Sequence, residues 1–223
     1  MPYILNIETS TTLCSVALSK NGEVISLREK DDGYTHSENL HVFIDEVLKE
    51  SGISPIQLNA IAVGSGPGSF TGLRIGVTSA KGMCYALKIP LIAVNTLMVM
   101  AKCALGVNNT FDIYTAMIDA RRMEVYCSSH DNNLNEVKET SAEVISIENL
   151  DYFKAKESVC FFGDGMPKCR EILGQIENSH FIENIKPFAS PLAQLSIDKF
   201  RKNQFEDVAN FEPFYLKDFF VKK

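Results

Sequence analysis

The stretch GPGSFTGLRIG at positions 66–76 places Gly66, Gly68 and Gly72, with Pro67, ahead of an apolar run. Glycines opening a helix are what a phosphate cradle needs, because backbone N–H groups must come close to the anion. As a Walker A loop the stretch fails: Thr71 stands where the second glycine falls, and no Gly-Lys-Ser/Thr follows. As a dinucleotide fingerprint begun at Gly64 it fails at Ser69, and Pro67 lacks an N–H. Behind the loop, Gly72, Gly76 and Ala80 recur every fourth residue and form one side-chain-free helical stripe. Glycine inside a helix costs about 1 kcal/mol relative to alanine, and both Gly76 and Gly82 lie well inside. Close approach of another backbone is expected to offset that cost. The backbone belongs either to this chain, with the helix over 35–51 as a candidate, or to a second chain, and composition does not choose.

Glu8-Thr9-Ser10-Thr11 lies between two β-rich runs that read as antiparallel strands. Actin-like ATPases and sugar kinases carry Asp-x-Gly-Thr/Ser there, the glycine admitting the phosphates and the aspartate helping to order a metal. Here the acid is Glu8, and Ser10 replaces the glycine. Asp119-Ala120-Arg121 sits at the corresponding turn of the second half, again without the glycine, and Gly163-Asp164-Gly165 echoes a nucleoside-binding loop. Glu8, Thr9, Ser10, Asp119 and Arg121 are therefore read as vestigial nucleotide-site positions. His36 and His41 are turned roughly 140° apart on a helix, the wrong spacing for one metal. No metal site is expected, and no Ser/His/Asp or HExxH arrangement supports a protease.

These residues need elements to hold them. Three antiparallel strands are expected over 3–9, 12–19 and 23–30, with Asn21-Gly22 as a hairpin turn. A helix over 35–51 follows, with Thr35 and Glu38 as a capping box and Gly52 as its stop. NAIAVGSG reads as a buried strand entering the glycine loop. A helix from about Thr71 to Leu87, a strand in IPLIAVNT and a helix in LMVMAKCAL complete the half. The pattern restarts near 106–109. DIYTAMID and MEVYCSSHD are strands joined at 120–122, followed by strands in NEVKETSAEVI and SVCFFGDG and a short helix in MPKCREILG. SPLAQLSIDKFRKN is a final amphipathic helix, with Ser190 as cap and Pro191 first. Strand-strand-strand-helix occurs twice, the second time shorter, which indicates a duplicated α/β architecture.

Composition sets the outer bounds. With 223 residues, 45% hydrophobic and 22% charged, the chain is globular. A formal charge of −6 repels nucleic-acid backbone overall, so an RNA role needs a local basic patch or a basic partner. The six cysteines contain no CxxC pair and read as reduced, buried thiols rather than a zinc site. MPYILNIETS has no basic n-region, and apolar runs fall short of a membrane span, so a cytoplasmic protein without membrane contact is expected.

The strings ILNIETSTTLCSVAL, THSENL, AVGSGPGSFTGLRIGVTSAKGMCYAL, DARRMEVY and FEPFYLK together resemble the TsaB (YeaZ) family. That family is the bacterial accessory component of tRNA threonylcarbamoyladenosine synthesis. The resemblance spans almost the whole chain, with 131–189 matching loosely. It implies an α/β, duplicated actin-like, ribonuclease-H-type (ASKHA) fold of two lobes, the second reduced. The lobes are expected at 1–105 plus 190–223 and at 106–189.

The resemblance also implies a non-catalytic scaffold that pairs with the paralogue TsaD, acts with TsaE and TsaC, and forms a homodimer when alone. TsaD-type proteins hold a metal through His-x-x-x-His, which this sequence lacks. The family's two helices pack on the equivalent pair of TsaD, which marks Leu40, Phe43, Val47, Gly72, Gly76, Ser79, Ala80 and Met83 as partner-interface candidates. tRNA is met only through the complex. No cofactor is expected in this subunit alone, with ATP or ADP admitted at the partner interface. The competing reading is an independent ATP-dependent transferase or kinase using Glu8, Thr9 and Asp119.

Overall fold

The computed structural model describes residues 1–33 and 35–216. Lys217 of the FEPFYLK string, and the rest of the expected first lobe beyond it, lie outside the described residues. Two compact units form: Met1–Val99 with Pro187–Pro213, and Met100–Lys186 with the described residues from Phe214.

In the first unit, β1 (Tyr3–Glu8), β2 (Cys14–Lys20) and β3 (Glu23–Lys30) make an antiparallel meander. Helix α1 (His36–Glu50) leads to β4 (Ala60–Gly64), and α2 (Phe70–Leu87) leads to β5 (Leu91–Val94). β4 lies parallel to β1 and β5 parallel to β4, giving the order β3-β2-β1-β4-β5. Both faces of this sheet are covered, which is why β1 and β4 read as continuous apolar runs rather than alternating ones. Leu5 and Ile7 join α1 and α2 residues in one core, while Ile4, Ala60 and Ala62 face a second core with Leu192 and Ile197. Those last two belong to α6 (Ala189–Arg201), which Ser196 ties to the sheet through a 2.7 Å bond to Asn6 Oδ1.

Two caps differ from expectation. Thr35 does precede α1, but its side chain makes no cap bond. Its hydroxyl instead donates to Asp32 Oδ1 at 2.7 Å and accepts from Asn39 Nδ2 at 2.7 Å. Helix α6 starts at Ala189, one residue ahead of the expected Ser190 cap; the Ala189 N–H donates to Ser15 Oγ at 3.0 Å, so a tertiary contact replaces the local one. The Gly52 stop holds: φ is +65°, and Ile53 N reaches back to Leu48 O at 3.0 Å.

After α3 (Thr96–Val107), the second unit repeats the order. β6 (Ile113–Asp119), β7 (Glu124–His130) and β8 (Glu136–Val144) form the meander. β9 (Val159–Phe162) and β10 (Ser179–Ile182) add in parallel to give β8-β7-β6-β9-β10. The helices equivalent to α1 and α2 have shrunk to α4 (Asp151–Lys154) and α5 (Met166–Leu173), so this half is the reduced one. Its core is built from Phe153, Phe161, Met117, Val125 and Cys127 under the short helices. Neither α4 nor β10 was expected from the sequence, since each is a single short turn or run bounded by polar residues. No helix among the described residues is long and apolar enough to cross a membrane.

Candidate functional site

The first turn is closed by the chain itself. Glu8 ends β1 fully buried, and its Oε1 accepts from Ser10 N at 2.8 Å while Oε2 has no hydrogen-bond partner. Burial pushes this carboxyl above its ordinary range, against the opposing bonds from Ser10 and Thr9. The glycine loop lies directly on it. A Cβ on Gly64 would sit 2.0 Å from Glu8 Oε2, and a Cβ on Gly68 would sit 2.3 Å from Ser10 O.

Several of the loop's donors are spent within the protein. Ser65 N donates to Val94 O at 2.8 Å, Gly66 N to Thr96 Oγ1 at 3.1 Å and Ser69 N to Ser10 O at 2.7 Å. Gly72 N donates to Ser69 Oγ at 3.3 Å, which makes Ser69 the N-cap and starts α2 at Phe70, a residue earlier than the Thr71 start read from the sequence. A phosphate needs such N–H groups free and converging. The first turn does not fit a metal–nucleotide.

The bare stripe of α2 is also covered from inside. A Cβ on Gly72 would meet Thr9 O at 2.1 Å, and one on Gly76 would meet Thr9 Oγ1 at 2.2 Å. Thr9 Oγ1 donates to Gly72 O at 2.8 Å, and His36 Nε2–H donates to Thr11 O at 2.7 Å beside the same glycine. Burial lowers the His36 pKa, with the Thr11 bond opposing, which suits a neutral ring in this packing role. The approaching backbone is therefore the β1–β2 turn, not α1 and not a second chain. Ala80, Leu40 and Val47 are buried in the same core, so Gly72, Gly76, Ala80, Leu40 and Val47 face inward.

Phe43, Met83 and Ser79 remain half-buried at the edge of that core, with Ser79 Oγ 3.2 Å from His41 Nε2 across α1 and α2. Outside them lies a face the sequence reading passed over. Val42 is 50% exposed and Tyr85 83% exposed, and a Cβ on Gly82 would meet nothing within 4 Å. The signal was present in Gly82 itself, a mid-helix glycine off the inner stripe.

The second turn is closed by a lysine. Asp119 pairs with Lys168 of α5, whose Nζ also donates to Arg122 O at 2.9 Å and Glu124 O at 2.6 Å. Asp119 Oδ1 accepts from Arg121 N at 2.9 Å, and Asp119 N donates to Asp164 Oδ1 at 3.0 Å. Burial works to raise the Asp119 pKa, but Lys168 and the Arg121 N–H hold it below the ordinary value. Gly163 and Gly165 pack on the end of β6, where added Cβ atoms would lie 2.2 Å from Met117 O and 2.9 Å from Ile118 C. Arg121 has φ +70°, the conformation that glycine adopts freely. The turn has a glycine-like backbone with an arginine in it. With its carboxylate tied to an ammonium, this turn does not fit a metal either. Lys168 carried no recognisable signal in the sequence, because its role depends on where α5 packs; Asp164 was noted only as part of the Gly163-Asp164-Gly165 loop, and its bond to Asp119 N was not foreseen.

The chain matches the family model described as "TsaD: tRNA N6-adenosine threonylcarbamoyltransferase" over residues 33–217. It is 30% identical over 222 residues to the tRNA threonylcarbamoyladenosine biosynthesis protein TsaB of Bacillus subtilis, covering 96% of this chain and 93% of that one. The TsaB of Escherichia coli is 40% identical over 132 residues, 59% of this chain and 56% of that protein. The TsaB of Haemophilus influenzae is 40% identical over 125 residues, so the chain spans only 52% of that relative's length. YeaZ from Pseudomonas aeruginosa superposes with a TM-score of 0.81 at 26% identity, covering 97% of this chain and 100% of that one. The activator of 2-hydroxyisocaproyl-CoA dehydratase from Clostridium difficile, solved with bound ADPNP, shares the fold at a TM-score of 0.53 and 10% identity, covering 91% and 97%.

Proposed function

Since this chain belongs to the TsaB (YeaZ) family, we propose that it is a non-catalytic scaffold that pairs with TsaD to form N6-threonylcarbamoyladenosine in ANN-decoding tRNAs. One observation carries the non-catalytic part: both turns that would cradle phosphate are filled by the chain's own groups. Glu8 is sealed under Gly64, and Asp119 is tied to Lys168. Phosphoryl chemistry rests on positioned charge, and in both turns the acidic group is already engaged within the chain. The same closure weighs against an independent kinase or transferase.

The pairing part is supported by the outer face of α1 and α2. Gly82 costs the helix about 1 kcal/mol relative to alanine, and among the described residues nothing lies close enough to require it. Tyr85, three residues on, and Val42 of α1 are exposed, while Phe43 and Met83 are half-buried at the edge of the core. A helix of a partner laid across Gly82 uses the missing side chain and buries these neighbours. TsaD is the proposed occupant, a second copy of this chain takes its place when TsaD is absent, and TsaE joins the assembled pair. ATP or ADP is bound only at the partner interface, and the assembly functions in the cytoplasm.

Co-purification with the cognate TsaD, followed by nucleotide titration of each species, tests this reading. The pair is expected to bind nucleotide and this chain alone not to. Tight nucleotide binding by the isolated chain would oppose it.

A further inference from the structure

The hairpin between β6 and β7 turns on two consecutive left-handed arginines, Arg121 at φ +70° and Arg122 at φ +52°. Side chains disfavour that region, and Asn-Gly is the low-strain choice where two such residues follow one another. The chain uses that choice elsewhere: the β2–β3 hairpin turns on Asn21 and Gly22, at φ +55° and +91°. Strain held at 121–122 therefore points to a use for the two side chains.

The base of the hairpin is locked. Ala120 N donates to Glu124 O at 3.0 Å, and Glu124 N to Arg121 O at 3.2 Å. Lys168 Nζ gathers the carbonyls of Arg122 and Glu124, and Asp119 takes Lys168 and the Arg121 N–H. The carboxylate nearest the tip is thus already neutralised, and Asp164 is moved toward its neutral form by burial. Glu124, engaged at the start of β7, is the remaining acid beside the turn. Both arginines are exposed, neither guanidinium makes a side-chain hydrogen bond among the described residues, and Arg121 adds its charge to that of Lys168 on Asp119. Two exposed guanidinium groups on a held backbone stand on a protein of net charge −6.

We propose that the Arg121–Arg122 hairpin tip is a contact for the phosphodiester backbone of RNA. This rests on the reading of the chain as part of a tRNA-modifying assembly. Guanidinium matches phosphate in bidentate geometry, and its charge is gained without base recognition, so the contact positions RNA rather than reading sequence. An exposed hairpin tip suits a long polyanion better than a nucleotide, which needs an enclosing pocket. The local positive charge supplies the basic patch that is one of the two ways an acidic subunit can approach RNA, the other being a basic partner.

The test compares wild type with the double variant Arg121→Asn, Arg122→Gly, both assembled with TsaD. The probe is an unmodified ANN-decoding tRNA transcript, followed by fluorescence anisotropy over a salt series. Asn-Gly relieves the turn, so the variant should melt no lower than wild type, which separates loss of contact from loss of fold. Affinity should fall at least roughly tenfold, and the slope of log K against log salt should shrink by about one to two. The pair Arg121→Lys, Arg122→Lys should keep most of the slope. Equal affinity and slope for wild type and the Asn-Gly variant, or no tRNA binding by wild type, overturns the inference. A loss confined to ATP or ADP titrations overturns it as well and reassigns the tip to a nucleotide. Co-purification with TsaD is scored separately: its failure counts against the proposed function, and anisotropy on this chain alone then decides the RNA contact.

Discussion

Glu8 and Gly64 occupy space that only a glycine at position 64 leaves open: a Cβ there would lie 2.0 Å from Glu8 Oε2. Gly64→Ala should therefore destabilise the protein by roughly 1–3 kcal/mol through overpacking. Adding Glu8→Ala should recover part of that loss, because the clash and its partner vanish together. A double-mutant cycle from denaturant melts measures the coupling, and strict additivity of the two changes would show that they do not touch.

Glu8 also predicts how stability responds to pH. Its ordinary value is 4.5, and burial raises it in the folded state. Between those two values the folded protein binds more protons than the unfolded chain, so this group lowers stability as pH rises from about 4.5. Below that range it contributes no pH dependence. Glu8→Gln keeps the shape and removes the titration. Its stability relative to wild type should climb with pH above 4.5, by at most about 1.4 kcal/mol per unit. Cys14, pushed up to about 11 by burial and by the Asp32 and Glu8 charges, stays neutral across this window. A difference that is flat with pH would mean Glu8 titrates normally.

Gly76 and Gly82 should behave oppositely. Gly76→Leu drives a side chain into Thr9 and should lower the melting temperature of the isolated chain. Gly82→Leu meets no neighbour, so it should leave that temperature unchanged or raise it while blocking association with TsaD. Thermal melts of the single chain and sedimentation of the mixture separate the two effects. Normal pairing by the Gly82 variant would remove α2's outer face from the interface.

Much of this was legible in the sequence. The apolar runs, Asn21-Gly22, Gly52 and the repeated strand order announce the duplicated α/β fold, because each is a local signal. The glycine stripe announced close packing but not with what. Thr9 approaches Gly72 and Gly76 across more than sixty positions, and no periodicity carries that information. The interface candidates therefore split: Phe43, Ser79 and Met83 lie at the core's edge, while Leu40, Val47, Gly72, Gly76 and Ala80 are inside it. Lys168 was invisible for the same reason, since its three acceptors come from a hairpin more than forty positions away.

Lys168→Met should loosen the β6–β7 hairpin. It removes an ammonium bonded to Asp119 and to two backbone carbonyls, an expected cost of roughly 1.5–3 kcal/mol. The Asp119 carboxyl should then titrate higher than in wild type, read by NMR. An unchanged Asp119 titration would mean the pair is not formed in solution.

The six thiols should be silent in the native state. All are buried and none forms a disulfide, and burial pushes Cys84 and Cys160 up to about 12 and Cys127 up to about 11. Alkylation near neutral pH should leave these untouched until the chain unfolds, after which all six react without reductant. Mass spectrometry reads both states, and a disulfide surviving denaturation would contradict the packing described.

The central claim is that this chain contributes no catalytic group. It is tested most directly by threonylcarbamoyl incorporation into tRNA, with the assembly reconstituted from Glu8→Gln protein at concentrations where assembly is verified. Activity should stay within a factor of about two of wild type, since losing a general acid or base costs roughly 10²–10⁴-fold. A fall of that larger size, with assembly intact, would place the chemistry in this subunit and contradict the account.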